Sequence, residues 1–558
     1  MKVSEIPYRR YPIEEAKAAL EACTQKVKKA NSEQEVLEAR SEYLTVLKHF
    51  VTASALAEKG FTLNTRDAFY AAEKDYYNEV SPQFSAAALP FAKAVLESPY
   101  RKAVSEVVLK NYACDVKAMD ERIVPDMQEE NRTVTEYSKL MSEMSFEFRG
   151  QKMPLPTLRG YMADKDPDTR REAYSVLGRT LEAHAEQLDG IFDRLVGIRT
   201  AMARKLGCKN FVELGYNRMH RICYDQAMVE QFRQNVRTDL VPVVCGLKEK
   251  VRQRLGLKTL SLADNDVYFK EGNPRPLGSV EEIFAKGKKM YEEMSPETGD
   301  FMHMMLENEA FDVLARDGKW GGGYCTSFPD FQQPFILANF NGSADDIDVL
   351  THEAGHAFAD YCLYKNGVDI ELNVGGMETA ETHSMSMECF CWKWMDDFFG
   401  ARGDDYRLMH LSSNLTFIPY GTIVDYFQHL VYEHPEMTPS ERNKTWKKLE
   451  GEFRPYMSAD GLPYLEKGTR WQYQMHIFEN PFYYIDYCLA QTTALQFLVL
   501  SQKDYADAFG RYLRFLKRGG SMAFTDLLKE AGLQSPFRPG ALAEVGADCQ
   551  KILEKLQK

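Results

Sequence analysis

Two histidines four residues apart, with a glutamate beside the first, form the chain's most chemically suggestive pattern: His352-Glu353-Ala354-Gly355-His356. On an α-helix, positions i and i+4 share a face about 6 Å apart along the axis, so both imidazoles can bind one metal ion. Glu353 then stands where a carboxylate can take a proton from an attacking water. A hydrolytic metal site usually has three protein ligands and an open position, so a third ligand must arrive from another element. On spacing alone Glu378, Glu381 and His383 compete for that place. Glu388 lies seven residues beyond Glu381, two helical turns along the same face, and is suited to hold an imidazole from behind.

The elements that must position these groups are legible around them. Ser343 and Asp346 suggest a capping box, and Asp345 adds negative charge to a first turn. Leu350, Ala354, Ala357, Phe358 and Tyr361 then supply an apolar stripe, and Lys365-Asn366-Gly367 a stop. A second helix is expected from Gly375-Gly376 to Gly400. Before the histidines, Gly318-Lys319-Trp320-Gly321-Gly322-Gly323-Tyr324 reads as a loop and Pro334 to Phe340 as a strand ending at Asn341-Gly342. The glycines lack the Gly-Lys-Ser/Thr ending of a phosphate loop. A small sheet beside the metal helix follows, whose edge can pair with an extended peptide backbone; a plain core strand fits the same residues.

The first two hundred residues read as successive helices: Glu14 to Val51, Phe91 to Glu97, Arg101 to Val116, Thr133 to Phe148, then a run opened by Asp168-Thr169. Pro154-Leu155-Pro156 reads as a break. This places an N-terminal helical lobe at 1–200 and a catalytic region at 201–558, across a soft boundary because helices continue to residue 256.

The 558 residues are 44% hydrophobic, ample for a large core, and carry a net charge of −13 with no Lys/Arg cluster, so nucleic acid is an unlikely partner. No apolar leader and no uncharged apolar span of about 18 residues is present, which argues for a cytoplasmic protein without membrane attachment. Eleven scattered cysteines fit reduced thiols, with Cys389 and Cys391 as core residues.

The stretch from Asn341 to His356, then Ala380-Glu381 with Ser384 and Glu388, resembles the oligoendopeptidase F and thimet oligopeptidase family of zinc metallopeptidases. Gly322-Gly323-Tyr324, the Phe335–Phe340 strand, Arg470-Trp471, His476 and Pro481 to Tyr487 resemble further segments of it, and so do Leu155 to Leu158 and Arg170 to Tyr174 upstream. Many members carry a further histidine where this chain has Ala359, a position that is not a ligand in the family.

The resemblance implies a mainly α, elongated, two-lobed fold with a small sheet beside the metal helix and a deep channel that admits short peptides. It implies one Zn2+ per chain on His352, His356 and Glu381, with Glu353 as catalytic base. It also implies roles for Tyr487, Tyr484 and His476 at the oxyanion of the attacked peptide bond; from the residues alone, amphipathic packing is the better explanation of those tyrosines. Tyr483 is left open. The expected activity is hydrolysis of internal bonds of short oligopeptides by metal-activated water. Alternatives are a peptidyl-dipeptidase of related fold, which needs a group for the substrate's C-terminus, and a non-catalytic metal-dependent peptide binder.

Overall fold

The computed structural model describes residues 1–372 and 375–557. It is predominantly helical. The chain opens with α1 (Ile13–Lys29), α2 (Glu33–Leu63), α3 (Ala68–Glu97) and α4 (Glu106–Ala118). Their caps are local: Ser32 accepts from Glu35 N, Asp67 from Phe69 N and Tyr70 N, and Ser105 from Val108 N. These helices share a core of their own, in which Tyr43 stacks on Phe91 and Phe50 on Phe84. A second, much larger core runs from Val3 to Leu553.

Two expectations for this region need correction. Val124–Glu143 is helical, but Phe146–Phe148 is a strand (β1) paired with Gln151–Met153 (β2), with Arg149 and Gly150 at positive φ in the turn. The Phe146 and Phe148 alternation is a strand period that a helical reading absorbs. Pro154-Leu155-Pro156 does not merely interrupt the chain; it begins the helix Leu155–Met162, where proline in the first turn costs no hydrogen bond. Residue 200 lies inside the helix Ala185–Lys205.

The expected small sheet has three strands, β3 (Phe311–Leu314), β4 (Tyr324–Phe328) and β5 (Gln333–Phe340), in the order β3-β5-β4. The strand read from Pro334 to Phe340 is therefore central and almost wholly buried. The outer strands are β3, parallel to β5, and β4, antiparallel to it with Cys325 opposite Ile336. The glycine-rich loop leads into β4. A side chain at Gly322 would collide with the Trp320 ring, 2.0 Å from its Cβ position. Asn339 Nδ2 ties the loop down through Trp320 O and Gly322 O, and Trp320 N binds Thr62 O of α2.

The metal-motif helix is α5 (Asp345–Lys365), stopped by Gly367 at φ 64°. Leu350, Ala354, Ala357 and Phe358 are buried, as the stripe required. Its start differs from expectation. Ser343 does not cap it; instead the Asp346 carboxylate reaches back to Asn341 N (2.9 Å) and Gly342 N (2.7 Å), clamping the β5–α5 turn.

The next helix, α6 (Met377–Phe390), gives way to a 3-10 segment at Cys391–Trp394 and resumes from Met395 to Phe399, before Gly400 at φ 57°. Cys389 and Cys391 are buried, and all eleven cysteines are free. Two later helices complete the frame of the site: α7 (Gly403–Glu433) and α8 (Tyr484–Ser501). No helix among the described residues is long and apolar enough to cross a membrane.

Candidate metal centre

Helices α5 and α6 cross at Gly355. A Cβ there would stand 2.6 Å from Ser384 Cα and 2.8 Å from His383 O, so only glycine allows this approach. The approach sets Glu381 of α6 against the histidine face of α5. Glu381 Oε2 lies 3.4 Å from His352 Nε2 and 3.5 Å from His356 Nε2, with one ligand atom from each residue within 4.8 Å of the others. Donors about 2.0–2.1 Å from a tetrahedral zinc stand roughly 3.3–3.4 Å apart, so the donor set fits such an ion. Of the three candidates for third ligand, only Glu381 is brought to both histidines.

Glu378 instead faces Tyr224 Oη, at 3.4 Å, and burial raises its pKa to about 8. His383 is buried, its ring edge-on to Phe515; burial holds it neutral, with a pKa lowered to about 3.

Charge within the cluster is balanced. Burial would raise Glu381, but His356 and His352 outweigh it and hold the carboxyl well below its usual range. Burial would lower His352, but Glu381 and Glu388 raise it well above its ordinary value. Glu388 acts from behind, as its spacing suggested: Oε1 accepts from His352 Nδ1 at 2.6 Å and Oε2 from His410 Nε2 at 2.8 Å. His410 Nδ1 in turn accepts from Trp392 Nε1 at 3.0 Å, so the neutral ring carries its proton toward Glu388. This leaves His352 Nε2 as a free donor atom for a metal. Nothing in the sequence singled out His410, which lies on α7 and joins the site only through the fold.

Glu353 is half-buried on α5. Burial raises its pKa, and His352 and His356 offset part of the rise, with a smaller contribution from the Cys325 backbone N–H on β4. A raised carboxyl suits proton exchange near neutrality.

The aromatic face comes from the segment before and within α8. Phe482 takes φ 68°, its N–H donates to Gln428 Oε1 and its carbonyl accepts from Arg221 Nη2. That turn delivers Tyr483, Tyr484 and Tyr487 together. Tyr483 Oη donates to Glu381 Oε1, so the tyrosine left open by the sequence is the one in direct contact with the ligand set. Tyr487 packs against Tyr483 (centroids 4.7 Å apart); burial, then Glu381, raises its pKa, with a smaller contribution from Glu353. Tyr484 is more deeply buried, against Phe417 and Tyr420.

His476 lies 4.9 Å from the Tyr484 ring and 5.8 Å from Tyr487. Burial lowers its pKa to about 4. Tyr420 Oη donates to Gln474 Oε1, which turns the Gln474 amide so that Nε2 donates to His476 Nδ1 at 3.0 Å. The neutral imidazole therefore carries its proton on Nε2 and is a donor.

The family described as Peptidase family M3 matches residues 160–547, and Peptidase M3 N-terminal domain matches residues 3–119. Oligopeptidase PepF of Bacillus subtilis (strain 168) is 27% identical over 265 residues, covering 45% of this chain and 37% of that protein. An oligoendopeptidase F homolog of Borreliella burgdorferi is 23% identical over 236 residues, 41% of this chain and 39% of its own length. The matched stretch thus spans well under half of these curated relatives.

Solved structures align over the whole chain. PZ peptidase A with inhibitor 2 has a TM-score of 0.96 at 40% identity, covering 99% of both chains. A putative oligoendopeptidase F from Bacillus anthracis str. Ames has a TM-score of 0.90 at 37% identity, covering 100% of this chain and 98% of that one.

Proposed function

The chain belongs to peptidase family M3, and from that premise we propose that it is a zinc-dependent endopeptidase cleaving internal bonds of short oligopeptides. The observation that supports this reading is the convergence of His352, His356 and Glu381 on one point, with Glu353 beside them.

One Zn2+ would be held by those three side chains, where it would supply Lewis-acid polarisation of the scissile carbonyl and acidify a water. Glu353 takes the proton of the attacking water and returns it to the leaving amine; its raised pKa makes both transfers feasible. The hydroxyl of Tyr487 and the Nε2–H of His476 are the donors suited to charge developing on the carbonyl oxygen, and Tyr484 packs beside both. β4 is an outer strand of the sheet, where an extended peptide would bind through its main chain without a choice of side chains.

The test compares wild type with Glu353→Gln on a quenched peptide of about ten residues and on unfolded casein, with zinc content assayed alongside. The reading expects cleavage of the short peptide alone, abolished in the variant at unchanged zinc. Equal activity in both proteins would remove Glu353 from the mechanism. A zinc-loaded but inactive wild type would favour a peptide binder, and a strict need for a free substrate C-terminus would favour a peptidyl-dipeptidase.

A further inference from the structure

Behind His476 lies a cationic feature that the proposed chemistry does not use. Arg470, in the 3-10 turn Arg470–Tyr473, stacks its guanidinium 4.1 Å above the centre of the Tyr420 ring and 5.5 Å from that of Tyr473. Its Nε and Nη1 are buried without a hydrogen-bond partner, although the residue as a whole is partly exposed. Arg454 approaches the same ring at 5.2 Å, and its Nε and Nη1 also lack partners. Between the two arginines the nearest counter-charge is Glu450, whose Oε1 is 3.5 Å from Arg454 Nη1. Among the described residues, no carboxylate lies within 4.0 Å of Arg470.

That is an unusual arrangement in a chain of net charge −13. Stacking on a tyrosine satisfies none of the five N–H donors of a guanidinium, and donors buried without acceptors are costly. Other buried arginines here are answered by a carboxylate: Arg199 by Glu130, Arg233 by Asp425, Arg170 by Asp264. Arg470 differs also in its place. The ring beneath it is Tyr420, whose hydroxyl fixes Gln474, which fixes His476. Tyr473, Gln474 and His476 are all partly exposed, so the same segment presents Arg470 and His476 to solvent-accessible space.

We propose that Arg470 is a carboxylate subsite for the substrate, taking either the peptide's free C-terminus or an acidic side chain on the same side of the scissile bond. Arg454 adds a second positive charge at the same tyrosine ring. Arg470 has no carboxylate partner among the described residues and is partly exposed, so a substrate carboxylate would supply the missing counter-charge, and a half-desolvated site makes that contact stronger than a surface pair. Because the contact is remote from the reacting bond and equal in ground and transition states, it acts on KM.

The inference rests on the peptidase reading, and the experiment separates the two. A ladder of quenched peptides, four to ten residues long, is prepared as free acids and as C-terminal amides, and one length also with Glu or Gln at each position after the cleaved bond. Each ratio of kcat/KM is taken within one enzyme preparation, so partial unfolding cancels. Wild type is expected to favour one carboxylate over its neutral counterpart about 10- to 100-fold, mainly in KM. Arg470→Gln is expected to bring that ratio near one, and Arg470→Lys to retain part of it. An acid-over-amide preference assigns the C-terminus, and a Glu-over-Gln preference the side chain.

Should Arg470→Gln fail to fold, the wild-type ratio must still shrink as salt rises. A wild type indifferent to both carboxylates, or a preference that survives in Arg470→Gln, overturns the subsite while leaving the peptidase reading intact. No cleavage of any peptide defeats the peptidase reading itself.

Discussion

Tyr483 and Tyr487 occupy one aromatic stack yet have different partners, and the proposed chemistry divides their work accordingly. Tyr483 donates to the free oxygen of Glu381, so it orients a metal ligand. Tyr487 touches Tyr483 and stands near both Glu381 and Glu353. Tyr483→Phe is expected to weaken zinc affinity about tenfold or more, measured by competition with a chromogenic chelator, with activity recovered at excess zinc. Tyr487→Phe is expected to keep zinc affinity and lose roughly 100- to 1,000-fold in kcat, measured on a short peptide at saturating zinc. If the two variants behave alike, this division of roles is wrong. Burial raises Glu353, so this carboxyl holds its proton to a higher pH than an exposed glutamate does.

At the scale of elements, the site depends on how closely α5 and α6 approach and on what stands behind His352. Gly355→Ala would place a methyl group 2.6 Å from Ser384 Cα, where backbone and not a flexible side chain must give way. We expect a loss of roughly 1–3 kcal/mol in stability, read by denaturant unfolding, together with weaker zinc binding as Glu381 retreats from the histidines. Glu388→Gln leaves the fold's packing intact but gives the amide one acceptor oxygen where His352 and His410 each need one. Zinc affinity is expected to fall about 10- to 100-fold, checked by the same chelator competition. An unchanged affinity in both variants would mean the donor triad does not rely on this scaffolding.

At the scale of the whole molecule, buried ion pairs join segments far apart in sequence. Glu130 accepts from Arg199 Nε at 2.6 Å and Arg218 Nη1 at 3.0 Å, linking three helices. Burial would raise Glu130, but Arg218 and Arg199 outweigh it and bring its pKa to about 2. A carboxyl depressed in the folded state releases its proton earlier than in the unfolded chain. Its contribution is therefore complete above about pH 4.5 and is lost as pH falls toward 2. Glu130→Gln is expected to cost about 3–5 kcal/mol at pH 7, because two arginines lose their counter-charge. The gap from wild type should narrow as pH drops from about 4.5 toward 2, as measured by chemical denaturation across pH. A gap that stays constant would show that packing, and not charge, ties these helices.

The amino-acid sequence by itself determined the local features of this protein. His352, Glu353 and His356 share a helix because the i, i+4 period and the Leu350–Phe358 stripe require it, and the stop at Gly367 follows from glycine's access to positive φ. The Pro334–Phe340 strand is equally local. Resemblance to a family extended this to Glu381 and the tyrosine segment.

Periodicity and spacing left Glu378, Glu381 and His383 level, and only the tertiary structure decided that Tyr483 holds Glu381, that His410 and Trp392 stand behind Glu388, and that β4 is an outer strand. The physical reason is one of range. Periodicity and capping report interactions within about four residues. The approach at Gly355, the turn at Phe482 and the unanswered charge of Arg470 depend on which surfaces of distant segments come to rest against each other.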